Sequence, residues 1–316
     1  MKNKKIRKMK KIILSFIALV FSLSINAQLD RSIMPKGGPS PKIKLDKPKE
    51  FKLKNGIRVL VVENHKLPRI NYSLRFDRKP IVEGEKTGVI SLLGSMLGNG
   101  TTNIPKDDFN EEVDFLGAGI NVGFGSGFAF TLTKNNERVL DLFSDAVINP
   151  LLTEEEFEKE KDKLIEGLKS QKKDIDAISG RVGDALSYGK NHAYGEFISE
   201  QTIDNIKFED ILDYHAKYFI PNNVYIVVIG DVNYKEVKSL ISEKFGVWKK
   251  GKTINDPEPI LTENVALTEI NFVDLPTATQ SAIQVTNNVN LKMNDEDYFA
   301  ALMANDILGG GGEGYL

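Results

Sequence analysis

Gly88-Val-Ile-Ser-Leu-Leu-Gly-Ser-Met-Leu-Gly-Asn-Gly-Thr101 carries two patterns at once. Val89, Leu92, Leu93, Met96 and Leu97 recur at helical spacing, which predicts a buried helix closed by the breaker Gly98-Asn99-Gly100. Ser91, Gly94, Ser95 and Gly98 follow i, i+3, i+4, i+7, so a second side of the same helix holds only small residues. Nothing on that side binds a metal ion or moves a proton. Its plain reading is helix packing against a sheet, and its sharper reading is a vacated pocket.

Working outward, Ile57 to Glu63 and Ile70 to Phe76 alternate as strands do and are expected to pair ahead of the helix. After it come a helix through Phe109, Val113 and Leu116, then the glycine-softened strands Gly119 to Phe124 and Gly127 to Thr133. Asn136 to Ile148 reads as a helix stopped by Pro150. Thr153-Glu-Glu-Glu156 opens a long one, about Glu154 to Lys172, with acidic residues at its positive end. Gly180 to Ser187 and Phe208 to Phe219 give two more helices around the turn His192-Ala-Tyr-Gly195; the strand Val224 to Ile229 and the helix Tyr234 to Phe245 follow. This alternation is an α+β domain over residues 49–250. Lys249 to Pro259 is charged and broken by Gly251, Pro257 and Pro259, which places a linker over 251–264. Beyond it strands Ile270 to Asp274 and Ser281 to Asn287, a helix Glu296 to Leu308 and a glycine run echo the first half, as the start of a second domain over 265–316 that looks truncated.

The N-terminus bears on location. Seven basic residues within the first eleven precede the apolar run Ile12 to Ile25, which predicts a secretory signal peptide cut after Ala27 and, from there, a periplasmic protein. The run is shorter than the roughly 20 residues of a spanning helix, so no stable membrane insertion is expected once it is cut. Residues 28–48, with four prolines, read as an extended linker. Loss of residues 1–27 leaves 35 basic against 44 acidic residues, a formal charge of −9, which disfavours nucleic acid as a partner. With no cysteine there is neither a disulfide nor a thiolate ligand.

Gly88 to Thr101, with Leu53-Lys-Asn-Gly-Ile-Arg-Val-Leu-Val-Val-Glu63 and His192-Ala-Tyr-Gly195, resembles the insulinase/pitrilysin family of zinc peptidases, the inverzincins, whose helix carries H-x-x-E-H. The resemblance implies a mixed sheet packed with helices and two homologous halves. It places the two zinc histidines at Ser91 and Ser95, the glutamate base at Gly94 and the third ligand, counted from Glu160, at Gly167. A one-residue slip offers Glu166, turned about 100° round the helix. Serine and glycine neither set zinc geometry nor take a proton from water, so no catalytic residue, metal ligand or cofactor is expected. The resemblance also implies a sheet edge at Gly119, Ile120, Asn121, Val122 and Gly123 to which an extended peptide adds through main-chain groups.

The expected function is that of an inactive partner of an active insulinase/pitrilysin-like peptidase subunit, handling unfolded or short peptides. Two other readings stay open: a structural or peptide-holding scaffold, and a zinc peptidase with ligands relocated among His65, His192, His215 and Glu166. No two of the histidines have ligand spacing. His215 falls on the apolar face of its helix and reads as a satisfied core histidine, while His65 sits in a turn and His192 in a loop. Gly309 to Gly314 spells G-x-G-x-x-G but follows a helix, which rules out a dinucleotide loop.

Overall fold

The computed structural model describes residues 38–39, 47–254 and 262–310. The chain divides after Asp46 into two units, and of the first only residues 38–39 are described. The expected leader and most of the 28–48 linker lie outside the described residues, as do residues 255–261 of the second linker.

Six strands form one mixed sheet: β1 (Lys49–Lys52), β2 (Arg58–Glu63), β3 (Arg69–Phe76), β4 (Gly119–Val122), β5 (Ser126–Leu132) and β6 (Val224–Gly230), in the order β1-β2-β6-β3-β5-β4. The expected pairing of β2 with β3 does not form. β6 lies between them, parallel to β2 and antiparallel to β3. Its sequence, Val-Tyr-Ile-Val-Val-Ile-Gly, is apolar almost throughout, as suits a strand inside a sheet. The helices between β3 and β6 supply the long return that a parallel neighbour of β2 requires.

The helices are α1 (Val89–Met96), α2 (Lys106–Phe115), α3 (Asn136–Ile148), α4 (Glu154–Gln171), α5 (Ile175–Tyr188), α6 (Glu200–Asp204), α7 (Phe208–Tyr218), α8 (Tyr234–Gly246) and α9 (Tyr298–Gly309). Along β2, β3, β5 and β6 alternate residues, among them Val59, Val61, Ile70, Tyr72, Leu74, Ala129, Ile226 and Val228, are buried in one core with side chains of α1, α3, α7 and α8. At roughly 25 cal/mol per Å² of apolar area, each of the larger of these side chains contributes on the order of 2 kcal/mol. The other face of β5 turns Phe128, Phe130 and Leu132 outward. At Gly127 the Phe143 ring of α3 lies 3.0 Å from where a Cβ would be, a tight fit.

The second-half strands are a further correction. Residues 262–297 contain no strand, and Ile270 and Ile283 are 93% and 86% exposed. Alternation supplies side chains suited to a sheet, but a strand also needs a partner for its backbone groups, and none pairs with this segment among the described residues. Only the helix, α9, forms, and none of its described residues is buried.

Candidate functional site

The site is built on α1. Its N-cap is Gly88, at φ 116°, which has no side chain to bond the first-turn N–H groups. Glu83 does this instead. Its Oε2 accepts from the N–H of Gly88 at 3.1 Å and of Ile90 at 2.8 Å. Glu196, just after the His192-Ala-Tyr-Gly195 turn, accepts in turn from the N–H of Glu83 and of Gly84, both at 2.9 Å. Burial pushes the Glu83 carboxyl up to about 7, opposed by the N–H groups of Ile90 and Gly88 and reinforced by the charge of Glu196. Burial also raises Tyr214, on α7, to about 12, with Glu83 adding to it.

Val89, Leu92, Leu93 and Met96 point α1 into the core, and α1 packs against α4 and α7. Ser91 and Ser95 are exposed and Gly94 is half-buried. Helix-against-sheet packing therefore does not explain these two serines. The only bond of the Ser95 hydroxyl is the one it donates to the carbonyl of Ser91, at 2.8 Å, among the described residues. A Cβ on Gly94 would stand 3.8 Å from the Phe124 nitrogen, while one on Gly98, at φ 74°, would stand 3.0 Å from the Val122 nitrogen. The bare side of α1 thus runs beside the end of β4, and Gly98 permits the tight left-handed exit there.

β4 is the terminal strand of the sheet, formed by Gly119, Ile120, Asn121 and Val122 and paired on one side with β5. Gly123 follows the strand and gives its N–H to the Ser126 carbonyl at 2.8 Å. At Gly119 the close approach is by a side chain: the Phe130 ring would lie 2.2 Å from a Cβ. Arg78 secures the turn after β4. Its guanidinium stands 3.7 Å from the centre of the Phe124 ring, and its Nη2 donates to the Phe124 carbonyl.

Zinc, the metal implied by the resemblance, does not fit the side chains present. Gly167 lies exposed on α4 with nothing within 4 Å of its Cβ position. Glu166 projects to solvent and pairs with Lys169 at 2.7 Å; Glu160 pairs with Lys163 at 2.6 Å. The histidines have separate settings. His65 is 2.7 Å from Asp231, and His192 stacks on Tyr188 with its Nδ1 accepting from the Tyr194 N–H at 3.1 Å. The reading of His215 as satisfied is corrected: among the described residues its buried Nε2 has no hydrogen-bond partner, and the ring stacks on Phe219. Burial lowers it to about 4. Among the described residues no three His, Cys, Asp or Glu side chains are placed to hold a metal ion.

Sequence reasoning missed Glu83, Glu196 and Arg78. Glu83 had only a partial signal: two acids, Glu83 and Glu85, stand just upstream of Gly88, and only the structure shows that Glu83 reaches the first-turn N–H groups. Glu196 lies 113 residues from the Glu83 N–H that donates to it, a distance no local pattern spans.

Two family models match: the one described as Insulinase (Peptidase family M16) over residues 81–182, and the one described as Peptidase M16 inactive domain over 205–316. An uncharacterized zinc protease of Bacillus subtilis is 23% identical over 271 residues, 83% of this chain and 64% of that protein. An uncharacterized zinc protease of Rickettsia felis is 24% identical over 216 residues, 65% of this chain and 51% of that protein. The chain therefore spans about half to two thirds of the length of these relatives. The crystal structure of a peptidase M16 inactive domain from Pseudomonas fluorescens superposes with a TM-score of 0.67 at 22% identity, over 85% of this chain and 66% of that one, which shows a shared fold.

Proposed function

We propose that this chain, which belongs to the insulinase (peptidase M16) family, is a non-catalytic, exported member that binds extended peptides and serves an active zinc peptidase as its partner. The observation that carries the reading is α1 itself: its buried face is intact while its other face offers serine and glycine where the family's chemistry needs two imidazoles and a carboxylate. Peptide binding without catalysis needs main-chain groups at a sheet edge, and β4 is such an edge beside that bare face. Export rests on the basic and apolar leader of residues 1–27.

The test is zinc content and peptide cleavage by the full chain, alone and mixed with an active insulinase-family peptidase. The expected result is no bound zinc, no cleavage alone, and faster cleavage with co-elution in the mixture. About one zinc per chain would overturn the reading in favour of relocated ligands. A stable complex with unchanged turnover would convert the partner into a scaffold.

A further inference from the structure

At the β4 edge of the sheet one side chain reaches past its own strand. Phe130 of β5 points to the uncovered face and is 46% exposed, and it stands opposite Gly119 of β4. Gly119 has no side chain, and the Phe130 ring occupies the space one would take, with its Cζ 2.7 Å from the Cβ position. Phe128, 43% exposed, backs that ring at 6.1 Å between centres. β4 is the terminal strand, so the Phe130 ring lies over the last row of the sheet. The next residue of β4 on that face is the exposed Asn121.

A strand added to β4 lies about 4.8 Å outside it, with the Cβ atoms of opposed residues about 4.5–5.5 Å apart. Its residue opposite Gly119 therefore meets the Phe130 ring in place of the missing side chain. Its residue opposite Asn121, on the same face, meets an amide. Charge adds a further preference. On this face β3, β4 and β5 carry no acid, while Arg69 and Arg75 stand exposed near opposite ends of β3. A second copy laid on the face would bring arginines against arginines. We propose that Phe130 selects the peptide taken by β4: an extended, acidic segment with a large apolar side chain opposite Gly119 and a polar one two residues away. This selection rests on the reading of β4 as a peptide-binding edge and says which side chains the edge prefers.

Fluorescence anisotropy of the full chain with three labelled peptides tests this. The first is a short peptide of threonine, serine and glutamate with one central phenylalanine; the second has alanine there; the third is the first with lysine for glutamate. The first is expected to bind roughly three- to ten-fold more tightly than the second, the range of an aromatic pair. It is also expected to bind more tightly than the third, by a margin that salt narrows. Phe130→Ala is expected to bring the first peptide down to the second and to leave the second unchanged. Ile229→Ser, on the same face but three strands from the β4 edge, is expected to keep the preference. Equal binding of the first two peptides by the wild type overturns the selection and leaves the edge reading intact, whereas binding of neither overturns both. A third peptide that binds as well as the first at low salt overturns the preference for acid. If Phe130→Ala weakens the first two equally, the ring only shields an edge glycine and selects nothing. Dimerisation of the wild type that Phe130→Ala abolishes would give the face to a second copy and overturn the proposal. Because the wild-type comparison needs no substitution, a variant that fails to fold does not protect it.

Discussion

Two sides of one eight-residue helix have fared differently. Val89, Leu92, Leu93 and Met96 are sealed in the core of α1's domain, whereas Ser91 and Ser95 stand in solvent with Gly94 half-covered between them. The buried side is constrained by volume, since close-packed interiors register the loss of a single methylene. The open side is constrained only by whatever it touches, and here that is a backbone nitrogen at van der Waals distance. Side chains on the open face can therefore be exchanged without disturbing the packing that places the helix, whereas exchanges on the buried face disturb it.

The buried side gives the largest expected effect. Leu93→Ala removes three heavy atoms from a fully buried site and is expected to cost about 2–5 kcal/mol in urea denaturation, with the slope of the transition unchanged. A cost below about 1 kcal/mol would mean that α1 is loosely held and that the contrast between its faces is one of degree.

How much of this was readable follows the same division. The apolar period of Val89 to Leu97 announced the helix, and Thr153 announced α4, whose N-cap it is, accepting from the Glu156 N–H at 3.3 Å. Periodicity works there because helix hydrogen bonds are local. Strand partners are not local. β2 and β3 looked like neighbours, yet β6, 161 residues beyond the last residue of β2, separates them. The alternation at 270–287 found no partner among the described residues at all. In the site, the identity of Ser91, Gly94 and Ser95 was legible from the sequence, and so was the exposure that follows from their helical spacing opposite Val89, Leu92 and Leu93. The carboxylates that anchor the helix were not, because a cap supplied by Glu83 and Glu196 depends on where two distant loops meet.

Within the buried neighbourhood His215 is the flaw, and it yields the next effect. Its Nε2 has no partner among the described residues and burial lowers it to about 4, so the folded state resists the proton that the unfolded chain accepts below its ordinary 6.5. The stability this group allows is fully present above pH 6.5 and is lost as pH falls through about 4, by at most roughly 3 kcal/mol. His215→Phe keeps a ring to stack on Phe219 and removes the unsatisfied nitrogen. Chemical denaturation at pH 7 and pH 4.5 is expected to show a gain of about 1 kcal/mol at the higher pH and a larger one at the lower. Equal gains at both would mean that the ring finds a proton partner on acidification.

The smallest effect decides what the bare face is. If Gly94 were glycine because a neighbour leaves no room, Gly94→Ala would create a clash and destabilise the protein. The nearest atom to the missing Cβ is the Phe124 nitrogen at 3.8 Å, an ordinary contact, and the φ of Gly94 is not in the left-handed region. Alanine replaces the residue that costs a helix interior most among those that fit one, so Gly94→Ala is expected to stabilise by about 0.5–1 kcal/mol. Ser95→Ala gives up only an exposed bond to the Ser91 carbonyl, a back-bond that competes with the helix, and is expected to shift stability by no more than about 0.5 kcal/mol. Thermal unfolding of both variants measures this. A gain at Gly94 marks a face free of packing constraint, whereas a loss there would make the small residues a packing requirement and return Ser91 and Ser95 to a structural role.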